Sequence, residues 1–314
     1  MEKIKQLQQD FAAFLAQTDF GGNPKELYEP IAYTILQSGK RLRPMLCLLA
    51  NDMFGGEERE ALWPALALET FHNFTLIHDD IMDKAPMRRG MPTVYQKWNA
   101  DIAILSGDAM LAKAFQYALQ PKKGADLAHL LGKVAIEICE GQQMDLNFET
   151  LGNVTIPEYL EMIRLKTAVL LATALQMGAT VAGADEAGIR HLYDFGINLG
   201  MSFQLQDDIL DLYSDVATFG KKHGGDIAEN KKTYLYLKAL ELASDKDRRR
   251  LEHLFTLRMD HDEEEKIEEV QALYDNHDSI VVCPVPTDVV RNMKVIGKDL
   301  NIDIITHATN TLFF

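Results

Sequence analysis

The sequence predicts an all-α protein with one large helical domain, and three observations carry that prediction. Helix formers (Ala, Leu, Glu, Lys, Gln, Met) dominate, while 20 Gly and 10 Pro are spread thinly over 314 residues. Alternating valine/threonine patterns, the period-two signature of strands, are nearly absent through residue 275. No Ser/Gly/Pro-rich linker divides the chain, so its length fills one sizeable core rather than two.

The helical elements follow in order. Residues 1–19 read as a first amphipathic helix. Residues 23–55 read as two helices around a loop at Ser38–Arg43. Residues 61–83 form a long apolar helix that ends in aspartates. Helices over 103–119 and 127–149 follow. The next begins on a capping-box signature, Thr155 to Glu158 with Pro157 in the first turn, and runs to about residue 183. Residues 187–215 form another apolar helix ending in aspartates. The tail from 277 to 314 changes character. It is rich in Val, Ile, Thr and Asn with interspersed prolines, closer to strand or loop chemistry, and is set apart from the domain at 1–276.

Composition excludes several classes of function. The formal net charge is −15, and no basic face of the kind nucleic acid requires is visible. A local group of Lys, Arg and Mg2+ can still override that field and hold an anionic substrate. Cys47, Cys139 and Cys283 lack metal-ligand spacing and read as incidental thiols in a reducing, cytoplasmic compartment. The amino terminus is amphipathic and of mixed charge, without a signal-peptide block. The longest uncharged run, 167–184, is Ala/Thr/Gly-rich, which suits a helix buried among helices better than a membrane span.

The chemistry lies in two matching clusters. "IHDDIMD" carries Asp79, Asp80 and Asp83, and "FQLQDDILD" carries Asp207, Asp208 and Asp211 with the same spacing. Aspartates are poor in helix interiors and adjacent like charges repel, so each cluster needs a reason. One alone reads as a solvated helix end. Two, each closing an apolar helix, read as a pair of Mg2+-binding sets facing each other across a cavity. Positions i and i+4 share a helix face, so Asp79 points with Asp83 and Asp207 with Asp211. Mg2+ takes such oxygens and completes its shell with water and substrate phosphates. Cations accompany both clusters: Lys40, Arg41 and Arg43 in "GKRLRP", Arg88 and Arg89 in "MRRG", Lys166 beside Thr167, and Lys221, Lys222, Lys231 and Lys232 around Gly224-Gly225. Together they fit a diphosphate gripped by metal on one side and Lys/Arg on the other, with apolar helix walls for a hydrocarbon tail.

These residues resemble the trans-isoprenyl diphosphate synthases (polyprenyl synthetases). The resemblance runs from about residue 25 to 275 and rests on "GKRLRP", "IHDDIMDKAPMRRGMPT", "AILSGDAML", "GQQMDL", "KTAVL", "FQLQDDILD" and "GKKHGGDIAENKKT", in the family's order. It implies an antiparallel helical bundle around a deep central cavity, usually homodimeric. It implies Mg2+ on Asp79, Asp83 and Asp207, with Asp208 and Asp211 supporting. Arg88, Lys166 and Lys221 would grip an allylic diphosphate. Lys40, Arg43, His72 and Arg89 would hold isopentenyl diphosphate, although His72 reads equally as a core residue. Thr167, Gln204 and Lys231 would line the reacting centre, and Gln142 and Asp145 match a further cavity motif. The implied reaction is prenyl transfer to isopentenyl diphosphate.

Chain length is a steric question posed by Phe71, Phe74 and Thr75, just before Asp79. If the two rings cap the cavity the product is short, farnesyl or geranylgeranyl; if they are merely core, a longer polyprenyl product remains open. Two rivals stand beside this. A class I terpene cyclase has no isopentenyl group for "GKRLRP" to hold, and typically carries an Asn/Ser/Glu second motif. A non-catalytic subunit of a heteromeric synthase usually lacks one aspartate motif, and both are intact here.

Overall fold

The computed structural model describes residues 2–213, 223–257 and 263–276. The tail at 277–314 lies outside the described residues, as do Lys221 and Lys222. The chain is α-helical as expected. Its helices are α1 (Glu2–Gln17), α2 (Lys25–Ile35), α3 (Leu42–Met53), α4 (Glu58–Met82), α5 (Val94–Lys97), α6 (Ala100–Ala118), α7 (Gly124–Thr150), α8 (Ile156–Ile163), α9 (Val169–Ala182) and α10 (Glu186–Tyr213). Beyond the second aspartate cluster come α11 (Gly225–Ala228), α12 (Tyr234–Leu242), α13 (Asp245–Leu254) and α14 (Glu263–Asn276).

Contacts divide the chain into two compact units. The described part of the first covers 2–134 and 171–196, and that of the second lies within 135–170 and 197–276. In the first unit, α1 buries Ile4, Leu7, Phe11 and Leu15, a three-and-four spacing that puts one stripe inward. α4 packs against α3 and α6. Asn99 caps α6 by accepting from the Ile102 amide at 2.9 Å. The second unit has its own core, built around Tyr159, Leu205, Leu212, Leu235, Val270 and Tyr274.

Three local departures from simple helix matter for function. The first is at the start of α3. Arg41 precedes the helix in the left-handed region (φ 50°), so Arg43 sits in the first turn of α3 rather than in the loop. That conformation costs a non-glycine residue roughly 1 kcal/mol or more. The Arg41 guanidinium offsets it by donating to the carbonyls of Ile35 and Gln37 and pairing with buried Glu69.

The second is a hairpin after α4. Two-residue strands β1 (Met87–Arg88) and β2 (Met91–Pro92) pair antiparallel, with Arg88 opposite Met91. Arg89 (φ 52°) and Gly90 (φ 75°) form the connection. Positive φ at both central residues is the type I′ geometry that matches strand twist.

The third interrupts the run expected as one helix from 155. The capping box holds, with Thr155 and Glu158 bonding reciprocally. Residues Arg164–Ala168 then form a π-turn before α9 resumes. It is wedged between two glycines of the same unit. A Cβ on Gly141 of α7 would stand 2.4 Å from the Lys166 amide nitrogen, and one on Gly200 of α10 would stand 2.4 Å from Ala168 Cα. Only hydrogen fits at either place. The run Ile156–Ala182 is long and apolar enough to cross a membrane, yet 67% of its most apolar window is buried inside the protein, the pattern of a core helix.

Candidate active site

In the first unit the aspartates end α4 as the spacing requires. The Asp83 amide donates to the Asp79 carbonyl at 2.8 Å, so the two side chains leave one face a turn apart. Asp83 is exposed and Asp79 partly so, while Asp80 between them is buried. Arg88 Nε donates to Asp80 Oδ1 at 2.7 Å. Burial raises the Asp80 carboxyl above its usual range, against the pull of the Arg88 charge. Asp80 therefore anchors the hairpin rather than facing solvent, and Asp79 and Asp83 are the two carboxylates that solvent reaches.

The hairpin separates the two arginines. Arg88, on β1, is fixed beneath the carboxylates. Arg89, at the turn apex, reaches the loop before α3, where a Cβ on Gly39 would meet its guanidinium at 3.2 Å. Arg43, Arg88, Arg89 and Arg41 all act on His72, whose imidazole is held well below its ordinary pKa by burial and then by those four charges. His72 is thus neutral. Burial also lowers Arg43 to about 10, which Glu69 opposes and Arg89 reinforces. Arg43 Nε is buried without a protein partner, which suits an anion. Lys40, one residue before Arg41, is exposed. Arg41 is part of this cluster in space but already committed to Glu69 and two carbonyls.

Phe71, Phe74 and His78 form an edge-to-face ladder up α4 toward the aspartates, with centroid distances of 5.4 and 4.9 Å. Phe71 is fully buried and Phe74 partly buried. The Thr75 hydroxyl folds back onto the His72 carbonyl at 2.8 Å. Gly107 on α6 makes room for the His78 ring, since a Cβ there would lie 2.3 Å from Nε2.

In the second unit the π-turn presents Lys166 and Thr167 side by side. Lys166 Nζ pairs with Asp145 Oδ2 on α7 at 2.5 Å, joining two residues that the sequence assigned separately. Gln142 lies one turn before Asp145 on α7. The Thr167 hydroxyl donates to Gln204 Oε1 at 3.1 Å, and Gln204 Nε2 donates to Asp208 Oδ1 at 3.1 Å. The Tyr159 hydroxyl donates to Asp208 Oδ2. Burial raises Asp208 to about 7, against its hydrogen bonds from Tyr159 and Gln204.

Asp207 and Asp211 share the face of α10 that Asp208 does not. Asp211 fastens the segment that follows. Its carbonyl accepts from the Gly224 amide at 2.9 Å and its Oδ2 from the Asp226 amide at 3.0 Å. Asp226, absent from the sequence-level candidates, is raised to about 6 by burial, with Lys231 opposing and Asp211 adding. Lys231 is exposed, 3.4 Å from Asp226 Oδ1 and 2.7 Å from Glu229 Oε2. The lone sequence signal for Asp226 was its place in "GKKHGGDIAENKKT".

The polyprenyl synthetase family pattern matches residues 24–274. The chain belongs to the polyprenyl synthetase family. Its relatives within that family include the geranylgeranyl diphosphate synthase of Sulfolobus acidocaldarius, 41% identical over 234 residues, 73% of this chain and 71% of that one. The geranylfarnesyl diphosphate synthase of Natronomonas pharaonis is 38% identical over 242 residues, 71% of each. A crystal structure of a geranylgeranyl pyrophosphate synthase superposes with a TM-score of 0.86 at 40% identity, covering 99% of this chain and 96% of that one. This polyprenyl synthetase is therefore an enzyme with the all-α isoprenoid synthase fold.

Among the described residues no three His, Cys, Asp or Glu side chains stand close enough to bind an ion alone. Mg2+ does not need such a cage, because it keeps several waters and takes one or two carboxylates plus substrate phosphates. Asp79 with Asp83, and Asp207 with Asp211, are carboxylate pairs of that kind, so the donor set of this polyprenyl synthetase fits the metal.

Proposed function

We propose that this enzyme joins isopentenyl diphosphate head-to-tail to an allylic diphosphate, with Mg2+, to make geranylgeranyl or farnesyl diphosphate. Family membership and the relatives' names support the prenyl transfer. The observation that carries the two-substrate reading is the type I′ hairpin. It commits Arg88 to the Asp79–Asp83 side and Arg89 to the Arg43–His72 side, so one short motif serves two differently held diphosphates. The first is held through carboxylates and metal. The second is held by guanidinium directly, with Lys40 nearby in the same loop.

The chain's own groups then divide the work. Bound Mg2+ would neutralise the leaving diphosphate as the allylic carbon–oxygen bond breaks. Lys166, aimed by Asp145, adds a fixed positive charge for that developing negative charge, a role we also assign to Arg88 and to Lys221, which lies outside the described residues. The Thr167 hydroxyl spends its hydrogen on the bond to Gln204 Oε1, so it turns oxygen lone pairs to the other side, which suit a carbocation rather than a phosphate. The isopentenyl double bond attacks that cation and forms the new carbon–carbon bond. The proton then lost goes to the released diphosphate. Neutral His72 accepts a hydrogen bond or packs; it is not required as a base. Phe71 and Phe74 limit the product by closing the space below Asp79. A longer polyprenyl product is the alternative if they do not.

We extend the proposal to a cytoplasmic homodimer with catalytic domain 1–276 and a separate segment 277–314. The exposed Ile104 and Leu105 on α6 supply apolar surface of the kind a second copy covers. The experiment is product analysis with labelled isopentenyl diphosphate and each allylic starter, with and without Mg2+. Elongation that needs both Mg2+ and a starter is expected. No elongation by the pure protein would favour the non-catalytic subunit.

A further inference from the structure

Asp208 does not look outward from α10. It is 5% exposed, and both of its oxygens are engaged, by Tyr159 and by Gln204. Asp207, its neighbour, is turned about 100° away on the helix and is partly exposed. A magnesium ligand must offer an oxygen to the ion and its water shell. Asp208 offers both of its oxygens to protein donors instead.

Those donors belong to one helical run. Tyr159 is on α8, and Thr167 is on the π-turn that follows it. Both are tied to the same turn of α10, Tyr159 through Asp208 and Thr167 through Gln204, which stand four residues apart. The polarity of the chain is set at Asp208. Both Asp208 oxygens accept, from the Tyr159 hydroxyl and from the Gln204 amide nitrogen, so Gln204 presents its oxygen to Thr167, and Thr167 donates. A π-turn carries one residue more than the α-helical repeat, and its local hydrogen bonds do not by themselves fix where its side chains point. The chain from Tyr159 supplies that fixing for Thr167, while Asp145 holds Lys166 beside it.

We propose that Tyr159 and Asp208 are positioning residues that orient Gln204 and the Lys166–Thr167 π-turn, and that Asp208 is not a metal ligand. The inference rests on the prenyl-transfer reading, with Asp207 and Asp211 as the ligands of the second aspartate set.

The test compares the parent enzyme with Tyr159→Phe, Asp208→Asn and Asp208→Ala. Each is measured for Mn2+ binding in the presence of inorganic diphosphate, by electron paramagnetic resonance, and for kcat and both KM values. Tyr159→Phe removes one oxygen and keeps the volume, so folding is retained. Its kcat should fall about tenfold, the weight of one hydrogen bond to a charged group, with an unchanged KM for isopentenyl diphosphate. Asp208→Asn can still accept from Tyr159, but its amide nitrogen turns Gln204 over and takes away the oxygen that Thr167 donates to. Its kcat should therefore fall about as far as that of Tyr159→Phe, and Asp208→Ala at least as far. Mn2+ affinity should stay within about threefold of the parent in all three variants. A tenfold loss of Mn2+ affinity in Asp208→Asn, or a parental kcat in Tyr159→Phe, overturns the proposal. If the parent itself fails to elongate, the prenyl-transfer reading fails, and the Mn2+ arm still decides whether Asp208 is a ligand.

Discussion

Gly141→Ala adds one methyl group where the structure has no space for it. A Cβ at 141 stands 2.4 Å from the Lys166 amide nitrogen and 2.8 Å from the Leu165 carbonyl carbon. The clashing atoms are backbone, so no side-chain rotation relieves them. Ordinary contact begins near 3.4 Å, so α7 and the π-turn must part by about 1 Å. On helix propensity alone the substitution would stabilise α7 by about 1 kcal/mol. Overpacking of a close helix contact costs about 1–3 kcal/mol, so destabilisation wins. The net cost of up to about 2 kcal/mol lowers Tm by up to about 8 °C in a chain of this size. The rate should suffer more. Parting the helices pulls Lys166 from Asp145, 2.5 Å away, and shifts Thr167 from Gln204. A misplacement of about 1 Å can cost on the order of a hundredfold. Calorimetry and steady-state kinetics with both substrates read the two effects. The KM for isopentenyl diphosphate should hold, because Arg43 and Arg89 are in the other unit. A variant with the parent's Tm and kcat would refute the glycine wedge as the device that aims Lys166.

Four further substitutions test other parts of the account. Phe74→Ala should shift the product to longer chains, because Phe74 lies five residues, or about 7.5 Å along α4, before Asp79; unchanged product lengths on chromatography would sink the cap role. Arg41→Ala removes the partner of buried Glu69 and two carbonyl contacts, and should cost about 3–5 kcal/mol of stability in urea unfolding. Lys40→Ala, at an exposed site, should leave stability intact and raise only the isopentenyl KM, so equal stability of the two variants would contradict these roles. His72 gives a pH dependence with a defined sign. Its imidazole titrates near ~6.5 when unfolded and well below that when folded, so below ~6.5 the unfolded chain binds the extra proton. Stability is complete above ~6.5 and falls by up to about 1.4 kcal/mol per unit as pH drops below it. In His72→Gln that part of the slope between pH 7.5 and 5.5 should vanish, and an identical slope would show that His72 is not held neutral.

The helices and the aspartate pairs were legible in the sequence for physical reasons. Apolar faces and the Thr155–Glu158 capping box are local signals, and the i, i+4 spacing of Asp79 and Asp83 fixes a shared face wherever the helix packs. The features that escaped are those made by contacts distant in sequence. Nothing local marks one extra residue at Arg164–Ala168; the π-turn depends on Gly141 and Gly200 in two other helices. The hairpin at Met87–Pro92 has strands too short for any period, and its one cue was Gly90 after two arginines. Without it, Arg88 and Arg89 look interchangeable, whereas the turn sends them to different partners. Arg41 reads like Lys40 and Arg43 in sequence, yet its backbone conformation and Glu69 make it structural. Asp208 copies Asp80 in position, and both prove to be buried and engaged by protein partners. Asp226 has no periodic or paired signal at all; it emerges through Asp211, which binds its amide.

The most direct measurement is the stoichiometry of diphosphate release against carbon gained. The purified enzyme is incubated with Mg2+, an allylic diphosphate and labelled isopentenyl diphosphate, and inorganic diphosphate is counted against label in the extended product. Prenyl transfer predicts one diphosphate released for each isopentenyl unit incorporated, with geranylgeranyl or farnesyl diphosphate accumulating. Release of diphosphate without incorporation of label, the outcome for a cyclase or a simple hydrolase, would contradict the account.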